Sequence, residues 1–487
     1  MLFPTVDFAI FFIIVLAISW LLRPYAVPWR LFIIGASFFF YGFWDVRFTA
    51  LLAGSIVFNY VMGLLVYRSL APVRVIPDRP LAEAQHTEGR TPATRWLLAA
   101  GTAGNVSLLG WFKYYEFFSE SLKNSLADIG IDAPVPLLEI TLPIGISFFT
   151  FQAISYLVDI SRGQIKPMWP LDYATYQSFF PHLVAGPIVR ASEFAPQLEA
   201  PPRPDRIPVT GAFFLIVMGL FKKVVVSSYL ATELVDPVFA LPNEHSSPEV
   251  LLATYGYAVQ IFADFSGYTD IAIGSALLLG FQFPANFNNP YRALSLQDFW
   301  RRWHMTLSRW LRDYLYVPLG GSRGSRIFTN RNVLITMVLG GLWHGAAWTF
   351  VIWGAIHGAG LVVERLLRGD RQPSTAAWAV TLRWLVTFHV VCLAWIFFRA
   401  ESAGVAFDLL ARLTTAWGSA PLVTPLAVIA IAGMIAWQFL PDNVFDTAIV
   451  RLSMVHPLAQ AAGFAGGIVV IDALGPSGVA PFIYFQF

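Results

Sequence analysis

One cysteine in 487 residues, Cys392, leaves no partner for an intrachain disulfide, no thiol pair and no cysteine-based metal site. Charge is scarce too: Asp, Glu, Lys and Arg make up 13% of the chain, against about 25% in soluble domains. Too few solvated groups are present to cover a globule, which excludes a soluble fold. No HExxH motif occurs, and no metal ligand is assigned. There is no Walker loop, dinucleotide-binding glycine fingerprint or GxSxG elbow. Neither a repeat period nor a matched pair of broken helices, the mark of many transporters, is visible. Nucleic acid is excluded as a partner because the one strongly basic stretch sits between apolar spans.

What the chain has in abundance is apolar length. Hydrophobic residues reach 56% and the mean hydropathy is +0.61. A membrane-crossing helix needs about 20 mainly apolar residues. Candidates lie near 5–22, 31–44, 48–67, 96–112, 140–158, 208–228, 250–280, 332–348, 349–364, 381–398, 421–440 and 457–475. With a few tilted, broken or re-entrant, they give about eleven spans. The fold class is therefore all-α, a polytopic membrane protein with added re-entrant and interfacial helices. Residues 1–487 read as a single transmembrane domain. The opening MLFPTVDFAIFFIIVLAISWLL lacks a basic n-region and a small-residue cleavage site, so it reads as the first span. LPIGIS (142–147), FSGYTD (265–270) and LGGLWHGAAW (339–348) break spans with Gly or Pro. Such breaks are tolerated at membrane depth where the freed backbone faces protein or a wet cavity.

Arginine placement orients the chain. Loops 23–30 (Arg23, Arg30) and 68–95 (Arg68, Arg74, Arg79, Arg90, Arg95) go to the cytoplasm, with 72–94 a cytoplasmic connector. Segment 113–139, with two lysines against five carboxylates, goes outside. Segment 282–331 carries eight arginines against Asp298 and Asp313, and reads as a cytoplasmic, basic, re-entrant segment. Both termini then lie outside, and AESAGVAFDLLARLTTAW after Arg399 reads as an outside surface helix.

Two histidines stand out. His344, in GLWHG (341–345), lies within an apolar run, where an ionisable group is a functional candidate by default. Packing alone also explains many such histidines, but here small residues (Gly340, Gly341, Gly345, Ala346) and Trp343 and Trp348 flank the ring. An imidazole of pKa near 6.5 can take a proton from a hydroxyl and return it to a leaving group. His304 lies in DFWRRWHMTLSRWLRDYLYVPLGG (298–321). Taken as one helix over 299–316, this segment gathers Trp300, Trp303, Leu307, Trp310, Leu311 and Tyr314 on one face. Arg302, Arg309 and Asp313 lie opposite, with His304 at the boundary. The plain reading is an interfacial helix whose arginines bind lipid phosphate, with Arg309 and Asp313 four apart and able to pair. A phosphate-bearing acyl carrier would suit the same planar donors. Asp264 and Asp270, in QIFADFSGYTDIAIG (260–274), would align only if the helix breaks at Gly267. They line a hydrophilic tunnel or bond a neighbouring helix. His357, thirteen residues past His344, reads as structural.

The run DFWRRWHMTLSRWLRDYLYVPLGG followed by GLWHGAAWTFVIWGAIHG resembles the membrane-bound O-acyltransferase family, and within it the branch that acetylates polysaccharides such as alginate. ISFFTFQAISYLVDISRG (146–163), FFPHLVAGPIVR (179–190), FADFSGYTDIAIG, FPANFNNPYRA (283–293) and the terminal PFIYFQF extend the likeness over nearly the whole chain. His182 stands where that pattern has Gln. The sister branch that attaches D-alanine to teichoic acids shares WH…LS.W.RDY. The resemblance implies a ring of helices around a central tunnel, with His344 and His304 catalytic. Trp303, Arg309, Asp313, Tyr314, Asn286, Asp264, Asp270 and Trp343 would bind substrate. It implies no cofactor, only an acyl-thioester donor such as acetyl-CoA. A polysaccharide acceptor would be reached with a periplasmic or membrane-anchored partner acetyltransferase, in contact with membrane lipids of the bacterial inner membrane. D-alanyl or other acyl transfer, or a non-enzymatic transporter or flippase, are the alternatives.

Overall fold

The computed structural model describes residues 1, 3–71, 90–132, 135–136, 138, 140–369, 373–476 and 482–483. All regular elements among them are helical, and each of the twelve apolar stretches falls on a helix. Among the described residues five helices are long and apolar enough to cross a membrane: Arg47–Arg68, Val209–Ala240, Trp348–Leu367, Ala377–Arg399 and Pro457–Leu474. Val6–Leu22, Ala26–Gly42, Ile146–Ser161 and Pro425–Trp437 are shorter apolar helices.

The backbone divides into two compact units, Met1–Pro208 with Ser275–Phe283, and Val209–Gly274 with Pro284–Phe487. In the first, α1 (Val6–Leu22), α2 (Ala26–Gly42), α3 (Arg47–Arg68), α4 (Pro92–Leu109) and α5 (Ile146–Ser161) carry the apolar runs. Helices in lipid gain little from apolar contact with each other, so polar groups and close packing join them. Asn59 of α3 and Asn105 of α4 exchange amide hydrogen bonds of 3.1 and 2.6 Å. LPIGIS does not interrupt a helix but starts one, α5 beginning at Ile146 just after Gly145. Gly145 has φ +77°, and a Cβ there would stand 2.5 Å from the Leu183 carbonyl oxygen. His182 is fully buried. Its Nε2 bonds the Tyr176 carbonyl at 2.8 Å, and Phe179, Phe194 and Phe283 surround the ring. The 72–94 connector lies mostly outside the described residues. At its end, Arg90 donates to the Ser161 carbonyl and hydroxyl at 3.1 and 2.8 Å.

The second unit holds both histidines of interest. Its first apolar helix, α6 (Val209–Leu220), runs on through a π-helical turn at Phe221–Ser227. Then come α7 (Ser247–Leu278), which belongs to this unit as far as Gly274, α8 (Leu296–Arg302), α9 (Met305–Leu311), α10 (Arg326–His344), α11 (Trp348–Arg368) and α12 (Ala377–Arg399). The surface helix expected after Arg399 is Ala403–Thr415. Two expectations are corrected. Helix α7 runs unbroken through FSGYTD. Gly267 is there for close approach: a Cβ would lie 2.7 Å from the Gly219 carbonyl oxygen, and one on Gly219 would lie 2.6 Å from that of Gly267. Two ion pairs join the helices beside this crossing, Lys223 with Asp264 and Lys222 with Asp270. The second correction concerns 299–316, which is not one helix. Helix α8 stops at Arg302, Trp303 is extended, and His304 is left-handed (φ 42°, ψ 54°) before α9 begins. Helical periodicity reads straight through this kink because tertiary hydrogen bonds make it.

Candidate functional site

His344 is the last residue of α10, where Gly345 turns extended (φ −157°) and ends the helix. A Cβ on Gly345 would fall 2.0 Å from the Phe350 ring, and one on Gly341 2.2 Å from the Phe350 carbonyl oxygen. The glycines in GLWHG therefore let α10 and α11 close on each other and set His344 between them. The His344 ring is 3% exposed and meets Trp343, Trp353 and Phe398 at centroid distances of 5.0, 5.1 and 5.1 Å. His304 arrives from the α8–α9 kink with its ring 6.4 Å from that of His344. Phe265 of α7 packs edge-on against His304 at 4.7 Å. His304 is completely buried, and burial lowers its imidazole pKa below the ordinary range.

Asn286 stands behind His304. Its Oδ1 lies 3.0 Å from His304 Nδ1, 3.3 Å from the Thr306 backbone nitrogen and 2.9 Å from Thr306 Oγ1. No side chain at the start of α9 caps it locally, so this remote amide satisfies one of the orphan N–H groups of its first turn.

A cavity of about 860 Å³ opens beside His344. Arg301, Arg309, Arg312 and Arg365 line it with Trp300, Trp353 and Glu364. Of the ten residues expected from sequence to be catalytic or to bind substrate, His344 and Arg309 reach this wall. The others lie off it. Trp343 touches both imidazoles, and Trp303, 1% exposed, stacks on Phe299 and packs against Trp395. Asp313 accepts from Arg312 at 2.7 Å, and Tyr314 packs on Trp310 at 5.2 Å. Asp264 pairs with Lys223 and accepts the Ile483 backbone N–H at 2.8 Å. Asp264 and Asp270 thus tie helices together, the second of the two uses open to them from sequence. His357 accepts the Trp300 indole N–H on Nδ1 at 3.3 Å.

Sequence reasoning missed Trp353 and Glu364. Trp353 lies nine residues past His344, across the break that cancels helical spacing. Glu364 accepts the Leu296 backbone N–H at 2.8 Å at the start of α8, a contact no local motif announces. Among the described residues no cluster of three or more His, Cys, Asp or Glu is arranged to hold a metal ion.

A model of the MBOAT, membrane-bound O-acyltransferase, family matches residues 109–402. The chain is 36% identical to a probable alginate O-acetylase of Azotobacter vinelandii over 94% of each chain. It is 42% identical to a probable alginate O-acetylase of Pseudomonas aeruginosa, over 78% of this chain and 68% of that one. It is 38% identical to a peptidoglycan O-acetyltransferase of Helicobacter pylori, over 78% of this chain and 73% of that one. Asn286, His304 and His344 all fall inside the matched span.

Proposed function

The chain belongs to the membrane-bound O-acyltransferase family, and from that premise we propose that it moves an acetyl group from a cytosolic thioester, across or at the membrane, to an alginate-like exopolysaccharide. It is a multi-pass membrane protein and an acyltransferase. The observation that carries the finer reading is the pairing of His344 and His304 beside a cavity walled by four arginines. Guanidinium groups suit the phosphates of a nucleotide-bearing thioester such as acetyl-CoA. His344 takes the proton of an acceptor hydroxyl as its oxygen attacks the thioester carbonyl. The carbon–sulfur bond then breaks, and the thiolate leaves with that proton. His304 positions the donor or shuttles the proton. In this reading about eleven spans surround a central tunnel in the bacterial inner membrane, and 282–331 faces the cytosol. A periplasmic or membrane-anchored partner acetyltransferase completes delivery to an alginate-like polymer.

The test is reconstitution in lipid vesicles with radiolabelled acetyl-CoA and polymer. Transfer is expected to be slow until the partner is added. Efficient palmitoyl transfer from palmitoyl-CoA, or full polymer acetylation by this chain alone, overturns the reading.

A further inference from the structure

Three groups converge on one oxygen. The Thr306 backbone N–H is a donor whatever the pH, so the atom of Asn286 that faces it at 3.3 Å is the amide oxygen and not the NH2. A carbonyl oxygen only accepts. The His304 Nδ1 that lies 3.0 Å from the same oxygen must therefore carry a hydrogen. In a neutral imidazole the lone pair then sits on Nε2. That atom is buried and has no hydrogen-bond partner among the described residues.

Asn286 is itself fixed. It is 1% exposed, and its backbone carbonyl accepts the Met305 N–H at 2.9 Å. One residue thus grips the chain on the far side of the left-handed His304, at Met305 through its backbone and at Thr306 through its side chain. A non-glycine residue keeps such a backbone only where its surroundings over-determine it, and such positions cluster at functional sites. Around the ring, Phe265 and Trp343 offer apolar faces, and the titratable group in ring contact is His344.

We propose that Asn286 is a positioning residue that locks His304 as its Nδ1–H tautomer and so makes Nε2 the proton-accepting atom beside His344. This rests on the acyl-transfer reading for its catalytic consequence and deepens it. Of the two roles open to His304, it selects proton acceptance. A neutral His304 in this tautomer has no hydrogen on Nε2 to offer an acyl carbonyl. The acceptor hydroxyl, once seated between the two rings, gives its proton to the imidazole pair, His344 as the base and the bare Nε2 of His304 accepting from the bound hydroxyl, and the proton returns to the departing thiolate.

The experiment is 15N NMR of histidine-labelled protein in nanodiscs. The His304 signals are those of the eight histidines that vanish in His304→Asn. The wild type is expected to show a protonated Nδ1 and a bare Nε2; the reverse pattern overturns the proposal with no further variant. Asn286→Leu should lose the Nδ1–H preference and lower kcat about a hundredfold, the scale of acid–base catalysis. The donor KM should stay within about threefold, since ground-state binding is untouched. Asn286→Asp, which keeps an acceptor oxygen, should restore both the signature and most of kcat. Failure of Asp to restore them, or a Leu variant with wild-type signature and rate, overturns the assignment. A wild type that shows the tautomer yet transfers no acyl group counts against the acyl-transfer reading instead.

Discussion

The imidazoles of His304 and His344 lie 6.4 Å apart between ring centroids, and the indole of Trp343 touches both, at 5.9 and 5.0 Å. His344→Ala should leave the protein inserted and abundant while acetyl esters on the polymer fall by at least about a hundredfold. Alanine is the wrong probe at His304, because Ala tolerates φ 42° less well than His, Asn or Asp. His304→Asn keeps the backbone and should still impair transfer strongly. Near-normal ester content in the His344 variant would refute its role as the base.

The buried pair of Lys223 and Asp264, 1% and 2% exposed at the side chain, supplies a stability prediction. Removing one partner strands a charge, which costs about 3–5 kcal/mol, whereas apolar replacement of both is often neutral. Lys223→Met or Asp264→Leu alone should therefore lower the unfolding midpoint in detergent markedly. The double variant should recover most of the loss. It should not recover all, because the Ile483 N–H that Asp264 accepts stays unsatisfied, at about 1–3 kcal/mol. A double variant no more stable than the worse single one would show that the pair is not the dominant contact.

That pair also marks where the sequence stops being readable. Apolar runs are long, and local composition dictates them: the stretch near 381–398 is the helix Ala377–Arg399, and that near 457–475 is Pro457–Leu474. The break in GLWHG was legible because glycine, histidine and tryptophan interrupt an otherwise apolar period. The partners of Asp264 and Asp270 were not, because Lys223 and Lys222 lie more than forty residues upstream in what reads as a plain apolar helix. The kink at His304 was invisible for a related reason. The Asn286 amide that fixes it lies eighteen residues away, in a stretch with no regular element before the 3₁₀ turn at Pro290–Arg292. Helical spacing placed His304 on the edge of an amphipathic face, but the fold places it in the core.

Topology is open to a direct test. Segment 282–331 should face the cytoplasm, on the strength of eight arginines against two aspartates. Ser325 is a poor site for a reporter, because its hydroxyl caps α10 by accepting the Phe328 N–H at 3.3 Å. Arg323 is exposed and lies before that helix. In a Cys392→Ala background, Arg323→Cys should resist an impermeant thiol reagent in intact cells and react after permeabilisation. Labelling from outside would reverse the orientation and remove the cytosolic-donor mechanism with it.

The arginines of the cavity should act on binding rather than on chemistry. Arg309 is half-buried and lines the wall that His344 also lines. A group that holds a donor phosphate equally in ground and transition states changes KM and leaves kcat alone. A hydrogen bond to a charged group is worth about 1.5–3 kcal/mol, so Arg309→Ala should raise the KM for acetyl-CoA by at least about tenfold with kcat little altered. Arg309→Lys keeps the charge but loses the planar fork, and should fall between the two. Raising salt should weaken donor binding in both, by less in Arg309→Ala, where three of the four cavity arginines remain to be screened. A large drop in kcat at unchanged KM would instead move Arg309 from donor binding to the reacting atoms.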